Sequence, residues 1–143
     1  MKKRVVAFGT FDLLHPGHIA FLTAARKLGD ELVVVVTRDD RVFEEKGMRP
    51  LFSEKERLQI IAALGVVSVA TLGDPVGTWR ILKRLRPTII ALGHDQQPSK
   101  EAVRALKLLP SHPVLKRIRR SGPIRHTSRN IKRLIYDRQK TAA

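Results

Sequence analysis

Two histidines three residues apart follow the first apolar stretch, within Gly9-Thr10-Phe11-Asp12-Leu13-Leu14-His15-Pro16-Gly17-His18. The stretch Arg4–Phe8 predicts a strand, and the apolar periodicity after the second histidine predicts a helix. Backbone N–H groups at such a turn, together with the helix dipole, favour a bound anion. Imidazoles one helical turn apart can donate to one phosphate as charged or neutral donors. The residues of this turn that we expect at a phosphate are Gly9, Thr10, Phe11, His15, Pro16, Gly17 and His18.

The same two histidines have other interpretations. They could cap the helix, form a surface pair, or supply two ligands of a zinc site. A zinc site needs further ligands, but the chain has no cysteine, and its other histidines are distant in sequence: His94, His112 and His126. We therefore do not expect structural zinc, and no residue is assigned as a metal ligand.

Strand and helix patterns alternate along the chain with short connections, which is typical of a parallel sheet covered on both faces. The predicted strands are Arg4–Phe8, Leu32–Thr37, Val66–Leu72, Thr88–Leu92 and Val114–Ile118. The predicted helices are Gly17–Leu28, Ser53–Leu64, Thr78–Leu85, Lys100–Leu109 and Ser128–Arg138. The order predicts a Rossmann-like, doubly wound α/β domain with a parallel five-stranded sheet and a central first strand. The longest irregular stretches are expected at Arg38–Leu51 and Arg119–Thr127.

Composition limits the class of protein. A chain of 143 residues without a twenty-residue apolar stretch or a signal peptide predicts one soluble, cytoplasmic domain that does not enter membranes. Residues 100–143 carry 13 of the 28 Lys and Arg but only two of the 13 Asp and Glu. This basic third could serve phosphate-rich small substrates, bind nucleic acid, or form a solvated surface. Aromatic residues make up 5% of the chain, which leaves little for base stacking, so nucleic acid is not the favoured partner.

Three further segments carry polar residues after predicted strands or at a helix start. Lys46 and Arg49 lie in the connection after the second strand, where charged residues are also common in solvated loops. After the fourth strand, Gly93 permits close approach, and Asp95 can accept from ribose hydroxyls or form an ordinary Asx turn. At the last helix, capping explains one of the two hydroxyls of Thr127 and Ser128.

The run Gly9–His18 resembles the HxGH signature of the nucleotidyltransferase superfamily, in its cytidylyltransferase-like family, where the form GTFDxxHxGH is typical. The resemblance implies that a phosphorylated substrate attacks the α-phosphorus of a nucleoside triphosphate and that pyrophosphate leaves without a covalent intermediate. It implies a single nucleotidyltransferase domain over residues 1–143, and dimers are frequent in the family, so a homodimer is possible. The implied catalytic residues are His15, His18 and Lys46, with Arg49 a weaker candidate than Lys46. The implied nucleotide contacts beyond the turn are Gly93, Asp95, Gln96, Arg125, Thr127 and Ser128.

Within the family, four segments resemble archaeal-type FAD synthases: HPGH, Thr37-Arg38-Asp39, LGHDQ and HTS. That group adenylates FMN, so the resemblance implies ATP, FMN and Mg²⁺, with the cation held mainly by the triphosphate. The chain departs from the group because cysteines near the last helix are absent, with Pro123 in the corresponding place. One alternative is a cytidylyltransferase that uses CTP and glycerol 3-phosphate or a related alcohol phosphate. Another is a non-catalytic protein that binds nucleotides or nucleic acid.

Overall fold

The computed structural model describes residues 1–120 and 127–142. A five-stranded parallel sheet has the order β3-β2-β1-β4-β5, so the first strand is central as predicted. The strands are β1 (Arg4–Gly9), β2 (Glu31–Val36), β3 (Val69–Leu72), β4 (Ile89–Leu92) and β5 (Val114–Arg117). The helices are α1 (Pro16–Arg26), α2 (Asp39–Lys46), α3 (Glu54–Ala62), α4 (Arg80–Leu85), α5 (Lys100–Lys107) and α6 (Ser128–Ala142).

The two central strands are covered on both faces, which explains their continuous apolar sequences. One apolar cluster packs α1 and α3 against the sheet through Leu22 and Ile61. The other cluster packs α4 and α5 against the opposite face through Ile81 and Leu106. This arrangement confirms the Rossmann-like, doubly wound prediction. It also brings the carboxyl ends of β1 and β4 side by side, where the order of the strands reverses.

The prediction of an irregular stretch over Arg38–Leu51 is wrong in its first half, because Asp39–Lys46 forms α2. Two aspartates in the first turn stabilise the helix by their interaction with its dipole. Gly47 ends the helix with φ 72°, in the left-handed region. Only Val42 is buried in α2, so the sequence carries no apolar stripe by which a helix could be recognised. The helix places Lys46, its last residue, beside the turn after β1.

The last helix, α6, is attached differently from the others. Within α6, all of which the structure describes, no residue is buried. Leu134, Ile135 and Tyr136 are each half exposed or more. Ser128 and Lys132, in its first two turns, make polar contacts with Asp12 after β1.

Candidate active site

The turn between β1 and α1 has a strained backbone. Phe11 and Leu13 have φ values of 53° and 52°, in the left-handed region that non-glycine residues seldom adopt. Phe11 is buried, and a Cβ added to Gly9 would lie 2.6 Å from its ring. The space beside Gly9 is therefore filled by the Phe11 ring, which fixes the turn before any ligand arrives.

Both histidines cap α1 and also lie in the site. His15 is the N-cap residue, and its Nδ1 accepts from the backbone N–H of Gly17 at 3.1 Å. His18 Nδ1 accepts from the backbone N–H of His15 at 3.3 Å, which completes a capping box. The rings stack with centroids 3.7 Å apart. Because Nδ1 accepts in each ring, the neutral imidazoles carry their protons on Nε2. Capping therefore sets the tautomer and the orientation of the pair.

The His18 ring is neutral at physiological pH. Burial lowers the pKa of His18 to about 4, and the nearby His15 and Lys46 lower it as well, while Asp12 acts in the opposite direction. A neutral ring whose Nδ1 accepts a backbone hydrogen bond donates through Nε2–H. An arriving phosphate would favour the protonated form, so binding of an anion and protonation of this ring reinforce each other.

Lys46 reaches the β1–α1 turn, whereas Arg49 does not. The Lys46 Nζ lies 3.5 Å from the Thr10 Oγ1. The Arg49 guanidinium instead contacts the Asp40 carboxylate at 3.3 Å, and both of these side chains are well exposed. The structure therefore places the lysine, and not the arginine, beside the histidine turn.

Asp12 connects three segments of the site. It is not among the site residues predicted from the sequence. Its buried carboxylate accepts from the backbone N–H groups of Leu51 and Phe52 at 2.9 and 3.1 Å and from Lys132 Nζ at 2.8 Å. Its backbone carbonyl accepts from the Ser128 hydroxyl. Burial acts to raise the pKa of Asp12, but the Lys132 and backbone hydrogen bonds outweigh it and hold that pKa below its ordinary value. The aspartate therefore remains ionised and ties α6 to the β1–α1 turn.

Arg57 was also not predicted. This fully buried side chain donates to the carbonyls of Thr10 at 2.6 Å, Thr37 at 2.8 Å and Phe52 at 3.0 Å. It also contacts the Asp39 carboxylate at 2.7 Å. Arg57 thereby holds the ends of β1 and β2 at a fixed spacing. A signal for it exists in the sequence, because it precedes the buried Ile61 by one helical turn and lies on the same face of α3.

After β4, the side chain of Gln96 supports the backbone. Its Oε1 accepts from the Gly93 N–H at 2.8 Å, and its Nε2 donates to the Phe8 carbonyl at 2.9 Å. Arg117 donates to the carbonyls of Gly93 and Gln96 at 2.8 and 2.7 Å. Asp95 is left with a mostly exposed carboxylate, 3.9 Å from the His94 ring nitrogen. The turn thus presents Asp95 to the cleft and uses Gln96 to hold its own shape.

At the start of α6, the two hydroxyls have different partners. Thr127 Oγ1 accepts from the Asn130 N–H at 3.1 Å and caps the helix. Ser128 donates to the Asp12 carbonyl. Arg125, predicted at the same end, lies outside the described residues.

A cleft of about 1290 Å³ at the carboxyl edge of the sheet unites these segments. It is larger than the roughly 300–1,000 Å³ typical of a site for one small ligand. Pro16 does not line the cleft but borders a shallow hollow beside it. The predicted residues that line the cleft are Gly9, Thr10, Phe11, His15, Gly17, His18, Lys46, Arg49, Gly93, Asp95, Gln96, Thr127 and Ser128.

Residues 1–120 and 127–142 contain neither a clustered metal site nor a membrane-spanning helix. No group of three or more His, Cys, Asp or Glu side chains there is arranged to hold a metal ion. In the same residues, no helix combines the length and the apolar character needed to cross a membrane.

Known proteins resemble this chain over most of its length. The family model described as cytidylyltransferase-like matches residues 6–134. The chain belongs to this family. An FAD synthase from Methanosarcina barkeri is 44% identical over 135 residues, which cover 92% of this chain and 96% of that protein. An FAD synthase from Methanosarcina acetivorans is 50% identical over 93 residues, which cover 65% of this chain and 60% of that protein.

A solved structure agrees with this assignment. The lipopolysaccharide core biosynthesis protein from Thermoplasma volcanium GSS1 superposes with a TM-score of 0.71 at 39% identity. The match covers 86% of this chain and 99% of that one. The family resemblance predicted from the HxGH run is confirmed, and the chain is a nucleotidyltransferase of the cytidylyltransferase-like family.

Proposed function

We propose that this nucleotidyltransferase transfers AMP from ATP to FMN, forming FAD and releasing pyrophosphate. The observation that carries the proposal is the stacked histidine pair at the start of α1, with Lys46 beside the same turn. Relatives named FAD synthase, at 44% and 50% identity, support FMN as the acceptor and ATP as the donor.

The reaction needs positioning and charge stabilisation more than acid–base chemistry. The FMN phosphate is already anionic near neutral pH, so its oxygen can attack the α-phosphorus of ATP without a general base. The bond from the α-phosphorus to the bridging oxygen breaks, and its electron pair leaves with pyrophosphate. We assign the Nε2–H groups of His15 and His18 and the first N–H groups of α1 to the charge that develops on the α-phosphoryl oxygens.

The leaving pyrophosphate would be held by cationic and hydroxyl groups around the turn. Lys46 approaches from α2, and Thr127 approaches from the start of α6, where the helix dipole also favours phosphate. The Ser128 hydroxyl would join them by turning its proton from the Asp12 carbonyl to the phosphate. We place Arg125 in this group from the sequence alone. Gly93, Asp95 and Gln96 would contact the nucleoside at the neighbouring strand end, with Asp95 accepting from ribose hydroxyls.

Mg²⁺ would come with the triphosphate rather than from a site on the protein. Magnesium prefers oxygen ligands, and the groups around the histidine turn are mostly nitrogen donors and cations. The buried carboxylate, Asp12, is already bonded to Lys132 and two backbone N–H groups. When bound with the nucleotide, the cation would neutralise triphosphate charge, and the chain's own residues would position the reacting groups.

A substrate panel tests the proposal. Pyrophosphate release is measured with ATP or CTP against FMN, glycerol 3-phosphate, phosphocholine and phosphopantetheine. We expect release with ATP and FMN, together with formation of FAD. Activity confined to CTP and glycerol 3-phosphate would contradict the FMN assignment. Salt-dependent binding of random oligonucleotides without any pyrophosphate release would favour the non-catalytic alternative.

A further inference from the structure

One pair of side chains in the cleft has no role in the proposed reaction. The guanidinium carbon of Arg41 lies 4.3 Å from the centre of the Trp79 ring, and both residues line the cleft. Trp79 is partly buried and packs on the same apolar cluster as Phe8, which also lines the cleft. An indole ring with a guanidinium stacked on it therefore borders the cleft. Trp79 is the only tryptophan in the chain.

Local contacts hold this surface in place. Trp79 is the residue before α4, and the Asp74 carboxylate accepts from the Ile81 N–H at 2.6 Å within the same connection. Arg41 lies on α2, where its Nε contacts Glu45 at 3.1 Å. The pair joins α2 to the connection between β3 and α4, so its geometry does not depend on a ligand.

The position of the pair indicates whether the nucleoside base or a ring of the acceptor would stack on it. The proposed nucleoside contacts follow β4, on one side of β1. Arg41 and Trp79 belong to segments that follow β2 and β3, on the other side of β1. A second planar group bound beside the histidines would therefore contact this pair. A small aliphatic acceptor such as glycerol 3-phosphate has no ring that could stack on it.

We propose that Trp79 and Arg41 form the subsite for the isoalloxazine ring of the acceptor. This inference rests on the proposed function and goes beyond it by naming the residues that select a flat, electron-poor ring. An electron-rich indole stacks well on such a ring once the Arg41 guanidinium, which lies over the indole, moves aside to donate to the carbonyl oxygens of the flavin. The competing explanation is that the pair only ties α2 to α4.

Flavin emission distinguishes stacking from a structural tie, because contact with indole quenches the fluorescence of isoalloxazine. FMN is titrated with protein and a non-hydrolysable ATP analogue, and equilibrium dialysis measures how much is bound. We expect bound FMN to lose its emission in the wild type and to regain it in Trp79→Leu. The KM for FMN should rise about tenfold or more, the effect typical of losing one stacking contact. The KM for ATP should stay within about twofold, since the ATP contacts are untouched.

Three further variants guard against misfolding and chance quenching. Arg41→Gln leaves the indole in place and should also raise the KM for FMN, while Trp79→Phe should retain most of the wild-type affinity. Tyr136→Leu removes the only tyrosine, which is exposed and outside the cleft, and should leave both emission and KM unchanged.

The outcomes separate this inference from the proposed function. If the wild type forms FAD but bound FMN keeps its emission, the stacking subsite is wrong and FMN adenylylation stands. An unchanged KM for FMN in both Trp79→Leu and Arg41→Gln would have the same meaning. If the wild type forms no FAD, the proposed function fails, and the subsite fails with it.

Discussion

Two helices begin at the same cleft but are attached to the protein in opposite ways. The first helix, α1, buries Leu22 and Ala25 in the core, and its start is fixed by the histidine capping box. The last helix, α6, buries none of its residues, all of which the structure describes, and it is linked through polar contacts to Asp12. The groups that we propose to stabilise charge on α1 are therefore held by the core, whereas the groups that we propose to hold phosphate on α6 are attached mainly through Asp12.

The largest effect is expected at the rigid helix. His18→Ala should lower turnover by at least about 10²–10³-fold, the loss typical of removing a preorganised donor. The melting temperature should change little, because the loss is confined to one capping hydrogen bond and the ring contacts with His15 and Phe11, while the core face of α1 is unchanged. His112→Asn is the matched control, since His112 is exposed, lies outside the cleft and has φ 41°, a conformation that asparagine tolerates. Unchanged turnover in His18→Ala would remove the catalytic assignment.

A matched pair of leucine substitutions compares the two attachments directly. Leu22→Ala in α1 should lower the free energy of unfolding by about 2–5 kcal/mol, because the side chain is fully buried. Leu134→Ala in α6 should change it by less than about 0.5 kcal/mol, because that side chain is 50% exposed. Urea unfolding measures both values. A comparable cost at Leu134 would show that this face of α6 is covered in solution.

Asp12→Ala should loosen the attachment of α6 while leaving α1 in place, because it removes the Lys132 contact but keeps the backbone carbonyl to which Ser128 donates. Without the carboxylate, the backbone N–H groups of Leu51 and Phe52 lose their acceptor, which should lower the free energy of unfolding by about 2–3 kcal/mol. The Lys132 ammonium also loses its ion-pair partner. We expect faster amide hydrogen exchange in α6, unchanged exchange in the core half of α1 and a higher KM for ATP. Asp137→Asn, on an exposed position of α6, is the control. Equal acceleration in both helices would contradict the proposed division between them.

The smallest effect is on stability at acid pH. The unfolded chain has the ordinary histidine pKa of 6.5, while the folded protein holds the pKa of His18 at about 4. Between these values the unfolded state binds the additional proton, so the free energy of unfolding should fall as pH decreases from 6.5 to 4. The contribution is on the order of 1–2 kcal/mol after screening of a partly exposed ring. His18→Gln should make the pH dependence shallower, and an unchanged slope would show that the ring is not held neutral by the fold.

The sequence predicts the scaffold well because the apolar patterns of the scaffold are strong. The continuous apolar strands β1 and β2 indicate a sheet covered on both faces, and Ser53 and Glu56 have the spacing of a capping box, which they form at the start of α3. Right-handed connections in a doubly wound sheet predict that the first strand is central, as it is. The helix α2 could not be recognised in the same way, since most of its side chains are polar or exposed.

The supporting contacts of the site were harder to predict than the histidines. Asp12 and Arg57 act mainly on backbone N–H and C=O groups, and every residue carries such groups, so the sequence does not indicate which ones are close. Gln96 is predicted from the family pattern as a nucleotide contact, and the sequence does not indicate that its amide also bonds to the Gly93 N–H and the Phe8 carbonyl. Pro16 is predicted at the phosphate together with its neighbours, but it borders the hollow beside the cleft, while Gly17 and His18 of the same turn line the cleft.

The central claim is that an adenylyl group passes to FMN beside His15 and His18. The most direct measurement follows the phosphorus atoms, with FMN incubated with ATP labelled at the α-phosphorus in one sample and at the γ-phosphorus in another. We expect the α label in FAD and the γ label in pyrophosphate, with neither product formed by His18→Ala. A γ label in the flavin product, or unlabelled flavin in both samples, would contradict adenylyl transfer to FMN.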